Sequence, residues 1–150
     1  MKFAVVSDEP YPVNEDVVTL LESRGHSVVR FGSLATGTEA PYAEVALQAA
    51  QAVAEGDCDQ GVFFCWTGTG ISIAANKVPG IRAALCADPE TARGARIWNH
   101  ANVLALSNRR TSSDLAKEIL SAWLDSPEHD ARGTAAVETI SEFESRERMR

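Results

Sequence analysis

The sequence lacks the features that mark membrane, secreted and nucleic-acid-binding proteins. No apolar run approaches the roughly 20 residues that a membrane-spanning helix needs. The apolar part of residues 1–7 is shorter than that of a signal peptide and predicts a strand instead. Lys and Arg total 14 against 21 Asp and Glu, a formal net charge of −7, which disfavours a nucleic-acid groove and offers no basic face to a membrane. The 150 residues, 45% of them hydrophobic, predict one soluble globular domain.

Cysteine is scarce as well. Cys58, Cys65 and Cys86 are an odd number with no metal-ligand spacing. We expect reduced cysteines in a cytoplasmic protein, and we interpret Cys58 and Cys86 as structural thiols. The chain offers no metal cluster, and neither a metal nor an organic cofactor is expected.

Short apolar runs alternate along the chain with amphipathic stretches. Strands are predicted at residues 3–7, 27–31, 61–65, 82–86 and 101–106. Helices are predicted at residues 13–24, 42–54, 70–77, 89–98, 113–124 and from 135 onward, with a polar loop at 127–134. This alternation predicts an α/β fold, a Rossmann-like three-layer sandwich with a five-stranded parallel sheet. Ligands in such folds bind beyond the carboxyl ends of the strands.

The most informative segment is residues 61–77. An apolar strand ends in Cys65, a loop containing Thr67, Gly68 and Gly70 follows, and a helical pattern then begins. A strand that feeds a helix N-terminus points backbone N–H groups at whatever lies above the strand, which suits an anion. The same field favours the thiolate form of a nearby cysteine. The segment therefore predicts a base or nucleophile beside an oxyanion site.

Each of these features also has a plainer interpretation. The run Gly68-Thr69-Gly70 lacks the third glycine of a dinucleotide-binding loop, so alone it indicates a tight turn. Cys65 is equally well explained as a buried structural thiol. Asp8, after the first strand, either caps the next turn or binds a ligand. Trp66 is unusual as plain packing inside a Thr/Gly loop, and Arg109 either pairs with carboxylates or binds an anion.

Several segments spread along the chain carry a family resemblance. They are Ser7-Asp8, the run from Cys65 through Thr67, Gly68, Gly70 and Ser72 to Lys77, residues 78–86, residues 99–106, and Arg109. With them the chain resembles the ribose-5-phosphate isomerase type B family, which includes the galactose-6-phosphate isomerase subunits, over nearly its whole length. The resemblance implies homodimers or tetramers of dimers with active sites built from two subunits. The C-terminal helix is then expected to contact the partner subunit.

The resemblance also implies a reaction, aldose–ketose isomerisation of a sugar or sugar phosphate through a cis-enediol. Cys65 matches the family's base. Thr67 and the backbone amides of residues 68–72 would hold the developing enediolate oxygen. The implied catalytic residues are thus Cys65 and Thr67. The positions implied to bind substrate hold Asp8, Glu9, Trp66, Gly68, Gly70, Ser72, Trp98, Asn99, Arg109 and Arg132.

The chain departs from the family pattern at four positions. Glu9 stands where the family has His, and Trp66 stands where a Gly follows the base. Trp98 replaces the ring-opening His. Of two C-terminal phosphate arginines, Arg132 matches the first, while Ala136 fills the place of the second.

Three hypotheses follow from these departures. The chain is an isomerase with an altered, open-chain substrate such as a tetrose 4-phosphate, whose esterified 4-oxygen cannot close a furanose ring. Alternatively, the substrate is not phosphorylated, because Glu9 repels a dianion, or the chain is a non-catalytic sugar-binding relative or isomerase subunit with a degenerate phosphate site. We favour an isomerase of a small sugar or sugar phosphate. His100 then either replaces the ring opener at the same rim or is a surface residue.

Overall fold

A computed structural model describes residues 1–126 and 130–150 of the chain. Its strands are β1 (Lys2–Ser7), β2 (Ser27–Gly32), β3 (Gln60–Cys65), β4 (Ala83–Leu85) and β5 (Val103–Ser107). The helices in these residues are α1 (Pro12–Ser23), α2 (Ser33–Thr36), α3 (Tyr42–Ala54), α4 (Thr69–Ala75), α5 (Pro89–Asn99), α6 (Ser113–Leu124) and α7 (Ala131–Arg148). None of these helices is long and apolar enough to span a membrane. The short helix α2 is not predicted from the sequence.

The five strands form one parallel sheet in the order β2-β1-β3-β5-β4. The register pairs Ser7 with Phe64 and Cys65 with Ser107, so the carboxyl ends of β1, β3 and β5 lie level at one edge. The order of the strands reverses between β1 and β3, where ligands bind in open α/β sheets. The predicted fold class, a Rossmann-like three-layer sandwich, is confirmed.

Side chains of the central strands alternate between two helix layers. Val5 and Phe64 pack into one core with α1, α5 and α6. Val6, Phe63 and Cys65 pack into the other core with α3 and α4. Every residue of β3 is buried, which explains the uninterrupted apolar sequence of this strand.

The final helix begins earlier than the sequence predicts. α7 starts at Ala131, so the predicted polar loop is wrong for residues 131–134, while residues 127–129 lie outside the described residues. Asp130 caps the helix, because its carboxylate accepts a hydrogen bond from the Gly133 N–H over 2.7 Å. The cap, rather than the apolar periodicity, sets where α7 begins.

A buried polar network ties three elements together at the carboxyl edge. The side-chain Nδ2 of Asn14, in α1, donates to the side-chain Oδ1 of Asn108 over 2.9 Å, and Asn108 Nδ2 donates to the Ser7 hydroxyl over 3.0 Å. The side-chain Oδ1 of Asn14 in turn accepts a hydrogen bond from the Tyr11 N–H over 2.9 Å. Ser7, Asn14 and Asn108 are all buried. The network therefore fixes the loop after β1 relative to the end of β5.

The Asn14→Ala variant tests this network. It is expected to lower the free energy of unfolding by about 1–3 kcal/mol, because buried groups of Asn108 and Tyr11 lose their partners. Urea denaturation at fixed protein concentration measures the change. The matched control is Thr19→Ala, on the exposed face of the same helix, which is expected to stay within about 0.5 kcal/mol of wild type. Equal stability of the two variants would contradict the role of the network.

Candidate active site

The junction between β3 and α4 is built around a left-handed glycine. Gly68 caps α4 with φ +77°, a conformation that residues with a Cβ rarely adopt. A Cβ at this position would also lie 2.5 Å from Leu85 Cδ1 and 3.0 Å from the Leu106 carbonyl carbon. The helix begins directly behind it at Thr69, and the N–H groups of a helix's first turn have no acceptor within the helix. These N–H groups face the carboxyl edge of the sheet, where Cys65 ends β3.

Cys65 is fixed at this edge by its strand. It is 5% exposed, and its side chain belongs to the core layer of α3 and α4. Its backbone carbonyl accepts a hydrogen bond from the Asn108 N–H over 2.9 Å. The predicted base therefore lies on the α4 side of the sheet, beside the predicted oxyanion donors.

The other two cysteines differ from Cys65 in their position. Cys58 precedes β3 and Cys86 follows β4, and both are free and buried. Burial raises the pKa of the Cys58 thiol, and it raises the pKa of Cys86 to about 12. Both stay protonated near neutral pH, in agreement with their interpretation as structural thiols. In residues 1–126 and 130–150, no three His, Cys, Asp or Glu side chains are placed to hold a metal ion.

Hydroxyl groups and a tyrosine surround the start of α4. The Thr67 and Thr69 hydroxyl oxygens lie 2.6 Å apart. Ser72 donates its backbone N–H to the Gly68 carbonyl over 3.3 Å, so it closes the first turn. The Tyr42 ring covers Gly70, because a Cβ on this glycine would lie 2.8 Å from Tyr42 Cε2. Tyr42 is missing from the predicted site. The available signal was its position as the first residue of the predicted helix that follows β2, which places it at the carboxyl edge.

Asp8 lies on the same side of the junction. Its carboxylate accepts a hydrogen bond from the N–H of the adjacent Glu9 over 2.9 Å. Burial raises the pKa of this carboxyl group. Asp8 and Tyr42 line a cleft of about 550 Å³ together with residues 39–41. Asp8 is a half-buried acid beside a cleft, which suits the predicted binding of sugar hydroxyls. That role stays a prediction.

Four side chains cross the ends of β1, β3 and β5 in a row. The Tyr11 and Trp66 ring centroids lie 5.8 Å apart. The Arg109 guanidinium carbon lies 5.8 Å from the Trp66 centroid, within the range of a cation–π contact. The Tyr11 hydroxyl donates to the Glu9 carboxylate over 3.0 Å, and this bond raises the pKa of Tyr11. We call Glu9, Tyr11, Trp66 and Arg109 the aromatic row.

Tyr11 is the second residue that the sequence-based site misses. It lies between Pro10 and Pro12, which restrict the loop after Asp8. An aromatic residue in a stiff loop at a strand end was the available signal. Its contact with Trp66 joins residues that are far apart in the sequence, and no local pattern reveals such a pair.

The remaining predicted residues form a second group. Trp98 and Asn99 end α5, and Arg132 lies in the first turn of α7. Trp98, Arg132 and Gly133 line a groove of about 360 Å³. A Cβ on Gly133 would lie 2.7 Å from the Trp98 carbonyl oxygen, so the glycine lets α7 approach the end of α5 closely. Arg132 is highly exposed, and its guanidinium lies 3.9 Å from the Asp130 carboxylate.

His100 belongs to this second group but is buried. It is the C-cap residue of α5 with φ 46°, and it is 6% exposed. Its backbone carbonyl accepts a hydrogen bond from Arg82 Nε over 2.9 Å. A Cβ on Gly133 would lie 2.7 Å from His100 Nε2, so the imidazole packs under the start of α7. The interpretation of His100 as a surface residue is wrong, because the left-handed cap turns the chain so that α7 covers the ring.

The two groups lie at opposite edges of the sheet. The chain enters α5 from the carboxyl end of β4, and α5 runs back so that its last residues lie near the amino end of β5. The Asn102 carbonyl there accepts a hydrogen bond from the Gly61 N–H over 3.0 Å. Cys65 lies four residues further along β3, roughly 13 Å at about 3.3 Å per residue. One chain therefore brings Cys65 together with Asp8 and the aromatic row, but not with Trp98, Asn99 and Arg132.

The chain is similar to a known protein family and to individual isomerases. The model of the family Ribose/Galactose Isomerase matches residues 3–140. Ribose-5-phosphate isomerase B of Escherichia coli (strain K12) is 40% identical over 134 residues, 89% of each chain. D-erythrulose-4-phosphate isomerase of Pectobacterium atrosepticum is 39% identical over 132 residues, 88% of this chain and 87% of the relative.

Solved structures show the same similarity. Ribose-5-phosphate isomerase B of Clostridium thermocellum superimposes with a TM-score of 0.90 at 41% identity, over 97% of this chain and 99% of that one. The similarity thus extends through both groups of site residues. The chain belongs to the Ribose/Galactose Isomerase family, as the resemblance of its motifs predicts.

Proposed function

We propose that the protein is an aldose–ketose isomerase of a short, open-chain sugar phosphate of the tetrose 4-phosphate class. The observation that carries the proposal is the β3–α4 junction, where Cys65 ends a buried strand beside the left-handed Gly68. Enediol chemistry requires a base and fixed donors for the developing oxyanion at one place. The relative named D-erythrulose-4-phosphate isomerase supports the tetrose class.

The proposed reaction moves one proton between neighbouring carbons. The Cys65 thiolate removes the proton from the carbon next to the carbonyl, and the C–H electron pair becomes the C=C bond of an enediolate. The Thr67 hydroxyl and the N–H groups of residues 68–71 stabilise the oxygen that gains the charge, while the Ser72 N–H is held by the Gly68 carbonyl. The Cys65 thiol then returns the proton to the other carbon, a hydroxyl proton passes between the two oxygens, and the thiolate is restored.

An open-chain substrate agrees with the loss of the ring-opening residue. The indole of Trp98 donates a hydrogen bond but accepts none, so it cannot transfer the proton that opening a furanose requires. His100 is buried next to it under α7. A tetrose 4-phosphate needs no ring opening, because its 4-oxygen is esterified.

The proposal assigns the terminal phosphate of the substrate to one arginine of each group, Arg109 and Arg132. No carboxylate among the described residues forms an ion pair with Arg109, and Glu9 is hydrogen-bonded to Tyr11 instead. Arg132 lies on α7, and Ala136 is one turn further along the same helix face, so the phosphate site keeps fewer cations than the family pattern.

The complete site is assigned to two copies of the chain. Trp98, Asn99 and Arg132 would reach Cys65 only from a partner subunit, in a homodimer or a tetramer of dimers. Exposed apolar side chains on α7, Ile140 (45%) and Phe143 (55%), support contact of this helix with the partner. Residues 1–150 then act as one isomerase domain. The three free cysteines support a place in the cytoplasm.

Removal of the Cys65 thiol tests the assignment of the base. Cys65→Ala is expected to reduce exchange of the α-proton of D-erythrulose 4-phosphate in heavy water by at least about 100-fold, as followed by proton NMR. Cys58→Ala is the matched control, because it removes a buried thiol at the opposite edge, and it is expected to keep near wild-type exchange. Normal exchange in Cys65→Ala would exclude the cysteine base.

His100 tests the open-chain substrate. His100→Asn is expected to keep most of the rate on D-erythrulose 4-phosphate, since Asn tolerates the left-handed conformation of this position and no ring has to open. Circular dichroism checks the fold of the variant. A large loss of rate on a cyclic substrate, recovered when a linear substrate is supplied, would show that His100 opens a ring and that the open-chain assignment is wrong.

Mixing two inactive variants tests the shared site. Cys65→Ala and Arg132→Ala are expected to be weak or inactive alone. Subunit exchange between them should restore roughly a quarter of the wild-type activity, because half of the dimers are then mixed and each has one intact site. Light scattering at micromolar concentration should show at least a dimer. A monomer, or no recovery after demonstrated exchange, contradicts the shared site.

A further inference from the structure

Trp66 is half exposed although two neighbours cover its ring. It is 50% exposed beside the buried Cys65. Its backbone carbonyl accepts hydrogen bonds from the Ser107 hydroxyl over 2.8 Å and from the Arg109 N–H over 3.1 Å. Tyr11 packs on the indole. The Trp66 backbone is therefore fixed at the carboxyl edge of the sheet, where ligands of this fold bind, and half of the indole surface stays exposed.

The aromatic row separates opposite charges. Glu9 is bonded to the Tyr11 hydroxyl at one end, and Arg109 lies on the Trp66 ring at the other. Two aromatic rings stand between the carboxylate and the guanidinium. Arg109 is exposed, and no carboxylate in residues 1–126 and 130–150 forms an ion pair with it, so its guanidinium is available to an anion.

Tyr11 holds this arrangement from the side of β1. Its backbone N–H donates to the buried Asn14, and its hydroxyl donates to Glu9. These bonds fix the Tyr11 ring against Trp66. The Trp66 ring in turn contacts the Arg109 guanidinium. Tyr11 acts through Trp66 and is a positioning residue.

We propose that the aromatic row sets the length of the substrate. The Trp66 ring fills the end of the crevice next to Cys65. Arg109, on the face of this ring, binds the terminal anion of a four-carbon chain and leaves no room for a fifth carbon. The proposal rests on the proposed isomerase function and adds to it a specificity device made of Tyr11 and Trp66.

Two phosphorylated ketoses provide the test. D-erythrulose 4-phosphate and D-ribulose 5-phosphate differ by one carbon, and neither has a free hydroxyl placed to close a furanose ring, so ring opening does not affect the comparison. The readout is the ratio of kcat/KM for the two ketoses. The variants are Trp66→Gly, which removes the ring, and Trp66→Phe, which keeps an aromatic ring as the matched control. Tyr11→Ala and Tyr11→Phe form the corresponding pair for the positioning residue.

The wild-type protein is expected to favour the four-carbon ketose by about tenfold or more, the usual effect of one carbon in a fitted pocket. Trp66→Gly should lower this ratio by about tenfold or more, while Trp66→Phe should keep it. Tyr11→Phe keeps the ring against Trp66 and loses only the bond to Glu9, so it should change the ratio less than Tyr11→Ala does. Tyr11→Ala should lower the ratio to a smaller degree. Circular dichroism confirms that each variant is folded.

The outcomes that contradict length selection can be told apart from those that contradict the isomerase function. A wild-type ratio in Trp66→Gly, or a wild-type preference for the five-carbon ketose, overturns length selection while the isomerase function stands. If Trp66→Gly loses activity on both ketoses, an unchanged ratio in Tyr11→Ala overturns the proposal in the same way. If the wild-type protein exchanges the α-proton of neither ketose, the proposed function fails, and length selection fails with it.

Discussion

The parallel direction of all five strands is the constraint on which the rest of the site depends. Each strand ends at one edge of the sheet, and each crossover helix returns to the other edge. Residues at the carboxyl ends of strands therefore lie at the same edge, as Asp8, Cys65 and Arg109 do. Residues at the ends of crossover helices lie at the opposite edge, about one strand length away. Asn99 and Arg132 are in this second class. The proposed two-subunit site follows from this topology, because a small sugar cannot span both edges of one chain.

Much of the fold was predictable because local signals agree with the tertiary structure. α3 and α6 have the predicted bounds, Tyr42–Ala54 and Ser113–Leu124. In α6 the Ser112 hydroxyl accepts a hydrogen bond from the Leu115 N–H, which is the cap that its sequence indicates. The sequence predicts the start of α7 four residues late, because Gly133 in its first turn is typical of a loop. Its presence there is explained by close packing on α5, and such packing has no local signature.

The same distinction applies to the candidate site. The Cys65–Gly68 junction was predictable, since a buried strand, a left-handed glycine and a helix start are consecutive in the sequence. Of the aromatic row, Glu9, Trp66 and Arg109 are implied by the family resemblance. Tyr11 and the contacts within the row were not predictable, because Tyr11, Trp66 and Arg109 come from three separate loops that only the strand order brings together. His100 shows the limit most clearly. A histidine in a polar segment is typical of a surface loop, yet the return of α7 over the end of α5 buries it.

The net charge of the chain and the charges near the candidate site favour different ligands. A formal net charge of −7 disfavours an anionic substrate at long range, but at physiological ionic strength this repulsion is screened beyond about 8 Å. Within that distance the candidate site presents the N–H groups of the first turn of α4 and the guanidinium of Arg109. Glu9 is the acidic group of the row, and its bond to Tyr11 keeps it at the far end from Arg109. If the site binds an anion as proposed, these local groups rather than the total charge select it.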